Sequence, residues 1–188
     1  KEFISKSKVN LKKINFKEAF TWNETISFPL LISDISIEIF KKMRKHPDLY
    51  STKYNDWLCH TIQGDINATF GRAFFNSEIT KKNKNYWPVY AGESFDIWNP
   101  DTKKYYTYAN KDKLIEHLQK QRKRSYNRTN SIYSNFDKKI IDNFKTLPCF
   151  DTRIAFRDIT NRTNRRTVIV SLVPSEVFLA NQAPFLLW

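Results

Sequence analysis

The residues whose types and spacing could do chemistry fall in two basic clusters. The first is Thr160-Asn161-Arg162-Thr163-Asn164-Arg165-Arg166, seven polar positions with three arginines, two asparagines and no acid. Arginine matches the paired acceptors of guanine, and asparagine matches the acceptor and donor of adenine, so such a run suits the reading of bases in a major groove. In the second cluster, Lys120, Arg122, Lys123, Arg124 and Arg128 fall within nine positions with no acid among them. Cations at the end of a helix complement its dipole, but this density exceeds that need. The interleaved Tyr126, Asn127 and Thr129 can donate to phosphates or base edges. The string Asn-Arg-Thr-Asn occurs in both clusters, at 127–130 and 161–164, so the two offer the same chemistry.

Other chemistries lack their parts. A methyltransferase that uses S-adenosylmethionine needs a glycine turn after its first strand, and Gly64, Gly71 and Gly92, the only glycines, form no Gly-x-Gly. Amino methylation also needs an Asn-Pro-Pro-Tyr type of loop. The nearest string is Asn99-Pro100-Asp101. A metal-dependent nuclease could be assembled from Asp48, Asp101-Thr102-Lys103 or Asp137-Lys138-Lys139, a permissive spacing in a chain rich in Asp and Lys. His46, His60 and His117 have no paired metal-ligand spacing, and Cys59 and Cys149 form no Cys-x-x-Cys, so reduced thiols are expected and a disulfide framework is not.

Several elements must position these clusters. Thr152–Ile159 and Thr167–Val173 are β-prone runs on either side of the first cluster, which makes it the tip of a hairpin. Alternation puts Ile154 and Phe156 on one face, Arg153, Ala155 and Arg157 on the other, and Val168, Val170 and Leu172 together. The second cluster closes a helix over residues 111–124, capped by Asn110, with Leu114, Ile115 and Leu118 as its buried stripe. Further helices are expected near 34–45, with Ile35, Ile39, Phe40 and Met43 on one side, and near 135–144, closing at Pro148. Residues 62–75 read as extended pieces punctuated by Gly64 and Gly71, and 87–95 as a strand entering a tight turn. Residues 96–108 read as a hairpin turning at Asn99-Pro100-Asp101. The tyrosines 105, 106 and 108 could stack bases, but cross-strand aromatic pairs in a small sheet are the favoured reading. Together these predict one α+β domain with a mixed or antiparallel sheet flanked by helices.

Composition agrees with a polyanion partner. The 188 residues carry 32 Lys+Arg against 19 Asp+Glu, a net charge of +13. The excess is local: residues 1–20 hold +4 (six basic, two acidic) and residues 111–146 hold +6 (ten basic, four acidic), while 21–60 balance. The division expected is a basic N-terminal arm over 1–27 and a domain over 28–188. The longest apolar runs are far too short to span a bilayer, so no membrane partner is expected and a cytoplasmic setting is. A start at Lys1 and an end at Trp188 inside an apolar stretch read as a piece of a longer polypeptide.

The stretches WPVYAGESFDIWNPDTKKYY (87–106), LQKQRKRS (118–125) and, above all, RIAFRDITNRTNRRTVIVSLVP (153–174) followed by NQAPFLLW (181–188) carry a resemblance. They resemble the region downstream of the catalytic domain in class I N6-adenine DNA methyltransferases and the related type IIG restriction-modification enzymes, including the methylases of phage-defence systems. The likeness covers about the last hundred residues well and the first eighty weakly. In one departure, Glu93 follows Gly92 where that family often has lysine. The resemblance implies a target-recognition domain that docks double-stranded DNA beside a methyltransferase catalytic domain of the same polypeptide. S-adenosylmethionine is then expected as cofactor of that parent enzyme, with none on this chain and no catalytic residue or metal here. It also implies DNA contact by Arg157, Asn161, Arg162, Asn164, Arg165 and Arg166, with Lys120, Arg122, Lys123, Arg124 and Arg128 positioning the duplex through phosphates. A stand-alone nuclease and an RNA-binding module are the alternatives.

Overall fold

The computed structural model describes Lys17 and residues 33–46, 59–161, 164, 166 and 168–187. Contacts divide the chain into two compact units, 1–55 and 56–188. The division therefore falls after the first expected helix, and most of the 1–27 arm lies outside the described residues.

In the first unit, α1 spans Asp34–Met43. Ser33, in an extended conformation, caps it by accepting from the Ser36 amide at 3.2 Å, and Asp34 in the first turn with Lys41 and Lys42 in the last complements the helix dipole. Ile37 is buried, whereas Ile35, Ile39 and Met43 are exposed.

The second unit is α+β, with two four-stranded sheets. Its strands are β1 (His60–Ile62), β2 (Phe75–Asn76), β3 (Tyr86–Tyr90), β4 (Thr107–Asn110), β5 (Arg153–Phe156), β6 (Val170–Val173), β7 (Phe178–Leu179) and β8 (Phe185–Leu187); its helices are α2 (Lys111–Tyr126) and α3 (Lys138–Asp142). The first sheet is antiparallel in the order β1-β8-β5-β6. The second runs β2-β4-β3-β7 and is antiparallel except for the parallel pair β3–β7. Strand alternation sends neighbouring residues of β3 and β7 to opposite faces. Val89 and Phe178 enter a core under α2 with Leu114, Leu118, Leu147 and Cys149. Tyr90 and Leu179 enter a second core with Ala155, Val173 and Phe185 of the first sheet. Two buried faces explain why these strands read as short continuous apolar runs.

The expected hairpin over 152–173 forms, with Arg153 opposite Val173 and Phe156 opposite Val170. Its inward residues are Arg153, Ala155, Ser171 and Val173, and the face shared by Val168, Val170 and Leu172 is the outward one. The hairpin expected within 96–108 is replaced by a larger one. β3 pairs with β4, and 91–106 is the connection between them. The expected helix near 135–144 is shortened to α3, between 3-10 turns at Ile132–Asn135 and Phe144–Thr146. Among the described residues no helix is long and apolar enough to cross a membrane.

One buried ion pair joins the sheets. Both Arg153 and Asp65 have side chains 4% exposed. Arg153 Nη1 donates to the two Asp65 oxygens at 2.9 and 2.8 Å, and Nη2 donates to the Val177 carbonyl at 2.8 Å. Asp65 Oδ2 also accepts from the Leu179 amide at 2.8 Å, and the guanidinium lies 4.7 Å from the centre of the Phe185 ring. Gly64 brings the chain to this point with a φ of 139°, and a Cβ there would stand 2.6 Å from the Ala180 carbonyl oxygen. Only glycine fits.

Removing one charge of such a pair strands the other in a dry core, so Asp65→Ala is expected to lower the unfolding free energy by about 3–5 kcal/mol, measured by urea denaturation. The alkaline limit of stability follows from buried acids. Burial pushes the Cys149 thiol up from 9.0 to about 12, and burial, with the neighbouring Asp101 charge, pushes the Tyr90 phenol up as well. A group whose pKa is raised by folding stabilises fully below its unfolded pKa and loses that contribution as pH climbs towards its folded one. Circular dichroism against pH is therefore expected to show stability falling between about pH 9 and 12.

Candidate nucleic-acid interface

The hairpin is braced where it leaves the sheet. Past β5 the ladder continues with the Arg157 amide donating to the Ile169 carbonyl at 3.0 Å, and the Asp158 amide donates to the Gln182 carbonyl at 3.2 Å. Arg157 Nη2 donates to the Phe95 carbonyl at 2.7 Å and lies 3.7 Å from the Asp96 carboxylate. The arginine expected to touch DNA is thus half-buried and tied to the 91–106 connection. Beyond it, Asn161 and Arg166 are exposed and Asn164 is half-buried, while Arg162 and Arg165 lie outside the described residues.

Tying the tip to the connection creates two clefts. One, of about 670 Å³, lies between Gly92, Lys104 and Tyr106 on one side and Arg157, Asn161 and Asn164 on the other. The second, of about 430 Å³, is lined by Asp96, Ile97, Trp98, Arg157, Asn164, Arg166 and Ile169. The connection is firm because its polar groups bond to one another. Buried Ser94 accepts from the Ala91 amide at 2.9 Å and donates to the Lys104 carbonyl at 2.6 Å; Thr102 donates from its hydroxyl to the Glu93 carbonyl at 2.6 Å.

Asp101 is part of the same bracing. It accepts from Lys103 Nζ at 2.7 Å, the Lys103 amide at 2.9 Å and the Tyr105 hydroxyl at 3.0 Å. Burial would raise its pKa, but these hydrogen bonds outweigh burial and hold the carboxyl below its ordinary value. Asp137 caps α3 by accepting from the Lys139 amide, and Asp48 lies outside the described residues. Among the described residues no three His, Cys, Asp or Glu side chains are arranged to hold a metal ion. Of the tyrosines weighed for base stacking, Tyr105 stacks on Tyr90 at 5.4 Å between ring centres and Tyr108 is buried, while Tyr106 is exposed.

The basic end of α2 splits into two roles. Lys120, Lys123, Arg124 and Arg128 are exposed. Lys120 pairs with Glu116 at 2.5 Å and Lys123 with Asp142 at 3.1 Å. Such surface pairs contribute little and exchange readily for a phosphate. Arg124 and Arg128 have no ion-pair partner among the described residues.

Arg122, in contrast, is 4% exposed, and the expectation that it contacts phosphate is corrected. Its guanidinium donates to the carbonyls of Ile141, Asn143 and Thr146 at 3.1, 2.7 and 3.0 Å, to the Thr146 hydroxyl at 3.0 Å and to Gln119 Oε1 at 2.7 Å. Its two Nη groups are therefore taken up by acceptors inside the fold. The reason is the helical period: Leu114, Leu118 and Arg122 are four apart and lie on one stripe.

Among the described residues the two basic regions border different clefts. Gln121, Arg122 and Ser125 of α2 border a cleft of about 200 Å³ with Gly64 and Asp65, at the Arg153 end of β5. The tip departs from the Phe156 end. Sequence reasoning had weighed Tyr106 for base stacking but had not singled out Lys104 or Trp98 as interface residues. The signal for Trp98 was the string Asp-Ile-Trp-Asn-Pro-Asp, which puts a large ring inside a turn.

Compared with family models, with curated proteins and with solved structures, the chain matches none of them.

Arg122→Met removes donors from three backbone carbonyls and is expected to lower stability by about 2–4 kcal/mol. Replacing Arg124 and Arg128 together by alanine is expected to change it by less than about 0.5 kcal/mol. Urea midpoints of the two variants measure both.

Proposed function

We propose that the chain is a DNA-binding target-recognition domain, which positions double-stranded DNA for N6-adenine methylation by a catalytic domain of the same polypeptide. The observation that carries this reading is the pair of clefts where Arg157, Asn161, Asn164 and Arg166 meet Lys104, Tyr106 and Trp98. Arginine and asparagine side chains at one lip can hydrogen-bond base edges. A firm connection at the other lip limits how far those side chains can stray, and ordered groups lose less entropy on binding. The exposed cations of α2 add interactions that are indifferent to sequence and hold the register.

On this reading S-adenosylmethionine belongs to the catalytic domain. This chain contributes binding and orientation: Arg166 and Asn164 approach base edges, and Lys120, Lys123, Arg124 and Arg128 hold phosphates. The cytoplasm, where the DNA is, is the setting that goes with it.

Duplex binding measured by fluorescence anisotropy is expected to weaken steeply with salt. Replacing Arg124 and Arg128 by alanine should reduce the slope of log K against log salt by about 0.9 for each phosphate that is no longer neutralised, for every sequence alike. Replacing Asn164 and Arg166 should instead reduce the difference between a preferred duplex and a random one. Affinity that neither depends on salt nor responds to these changes would sink the reading.

A further inference from the structure

Trp98 occupies a position that works against folding in two ways. Its backbone has a φ of 64°, in the left-handed region that favours glycine or asparagine. Its side chain is 95% exposed, so an indole that could stabilise a core stays in water. The conformation is held from both sides. The Asp96 amide donates to the Asn99 carbonyl at 2.8 Å and the Asn99 amide donates back at 2.9 Å, closing a turn with Ile97 and Trp98 at its apex. Asp96 Oδ1 accepts from the Ile97 amide at 2.7 Å, and Ile97 is half-buried beneath. A glycine at 98 would relieve the backbone and expose no ring. Strain and exposure at a well-braced apex point to a partner outside the chain.

The surroundings identify the chemistry of that partner. The ring borders the cleft lined by Arg157, Asn164 and Arg166, where Asp96, 3.7 Å from Arg157, is the one acid against two arginines. Guanidinium and amide groups beside an aromatic face are the groups that bind a phosphodiester and a base edge while the ring takes the base itself.

We propose that Trp98 stacks on a nucleobase displaced from the stack of the bound duplex, the Arg166 and Asn164 lip holding the adjoining backbone and base edge. This rests on the reading of the chain as a duplex-binding domain. A ring at the tip of a rigid turn can enter between base pairs or support a base that has left the helix, and both place an indole face on a base face.

The test uses the full chain and duplexes carrying 2-aminopurine at successive positions. The wild-type chain is expected to change the emission of one position on binding, as that base leaves its neighbours. Trp98→Ala is expected to abolish the change and weaken binding by about tenfold, while Trp98→Tyr keeps most of both. The melting temperatures of Trp98→Ala and Trp98→Gly are expected to equal or exceed that of the wild type, because nothing in the fold depends on the ring. Wild-type affinity and an unchanged emission response in Trp98→Ala would overturn the proposal and leave the ring to a protein partner. A melting temperature several degrees lower in both variants would overturn it in favour of a structural role. If the wild-type chain binds no duplex at all, the reading beneath the proposal fails instead.

Discussion

The second unit depends on the Asp65–Arg153 pair. Two unit charges held in a dry core attract strongly, yet the attraction only offsets the loss of their hydration if every polar atom nearby is also used. Here most are. The carboxylate takes two bonds from Arg153 and one from the Leu179 amide, and the guanidinium also reaches the Val177 carbonyl and the Phe185 ring. These partners belong to β5, β7, β8 and the segment after β1, so the pair specifies how one sheet lies on the other. Gly64 makes the approach possible, because any Cβ there would meet the Ala180 carbonyl.

Arginine recurs as an internal brace. Arg122 gathers carbonyls at and beyond the end of α3 against α2, and Arg157 ties the base of the hairpin to Phe95. Each uses the guanidinium as a rigid fork of donors in place of backbone pairing that irregular segments cannot supply. The 91–106 connection so braced contains little regular structure, and the Phe95 and Thr146 carbonyls each accept a guanidinium N–H. A basic composition therefore has two uses in this chain, one inside and one on the surface. Arg124, Arg128 and Arg166 serve the second.

Much of the scaffold was legible. The cap at Asn110, the period of Leu114 and Leu118, and the β-prone runs about the 160–166 tip each rest on short-range rules, and each element formed close to its expected place. The misreadings share one cause. Residues 96–108 looked like a hairpin because turn and strand residues adjoin there, but β4 found its partner in β3, where core burial was available. Arg122 looked like surface because charge was counted along the sequence, whereas the stripe it continues was visible only by extending the four-residue step from Leu118. Trp98 passed as one aromatic among many, since local pattern does not reveal whether a ring will be covered.

By itself, the sequence determined the basic balance, its concentration in two stretches and the local elements that carry them, because charge and short-range capping need no fold to be counted. The tertiary structure alone decided which cations are available. Burial is a property of packing between distant segments, and it took Arg122 and Arg153 inside while leaving Arg124, Arg166 and the Trp98 ring in water. The cleft between the tip and the 91–106 connection was likewise a tertiary outcome: it joins residues more than fifty positions apart, brought together by sheet pairing and by one arginine bonded to Phe95.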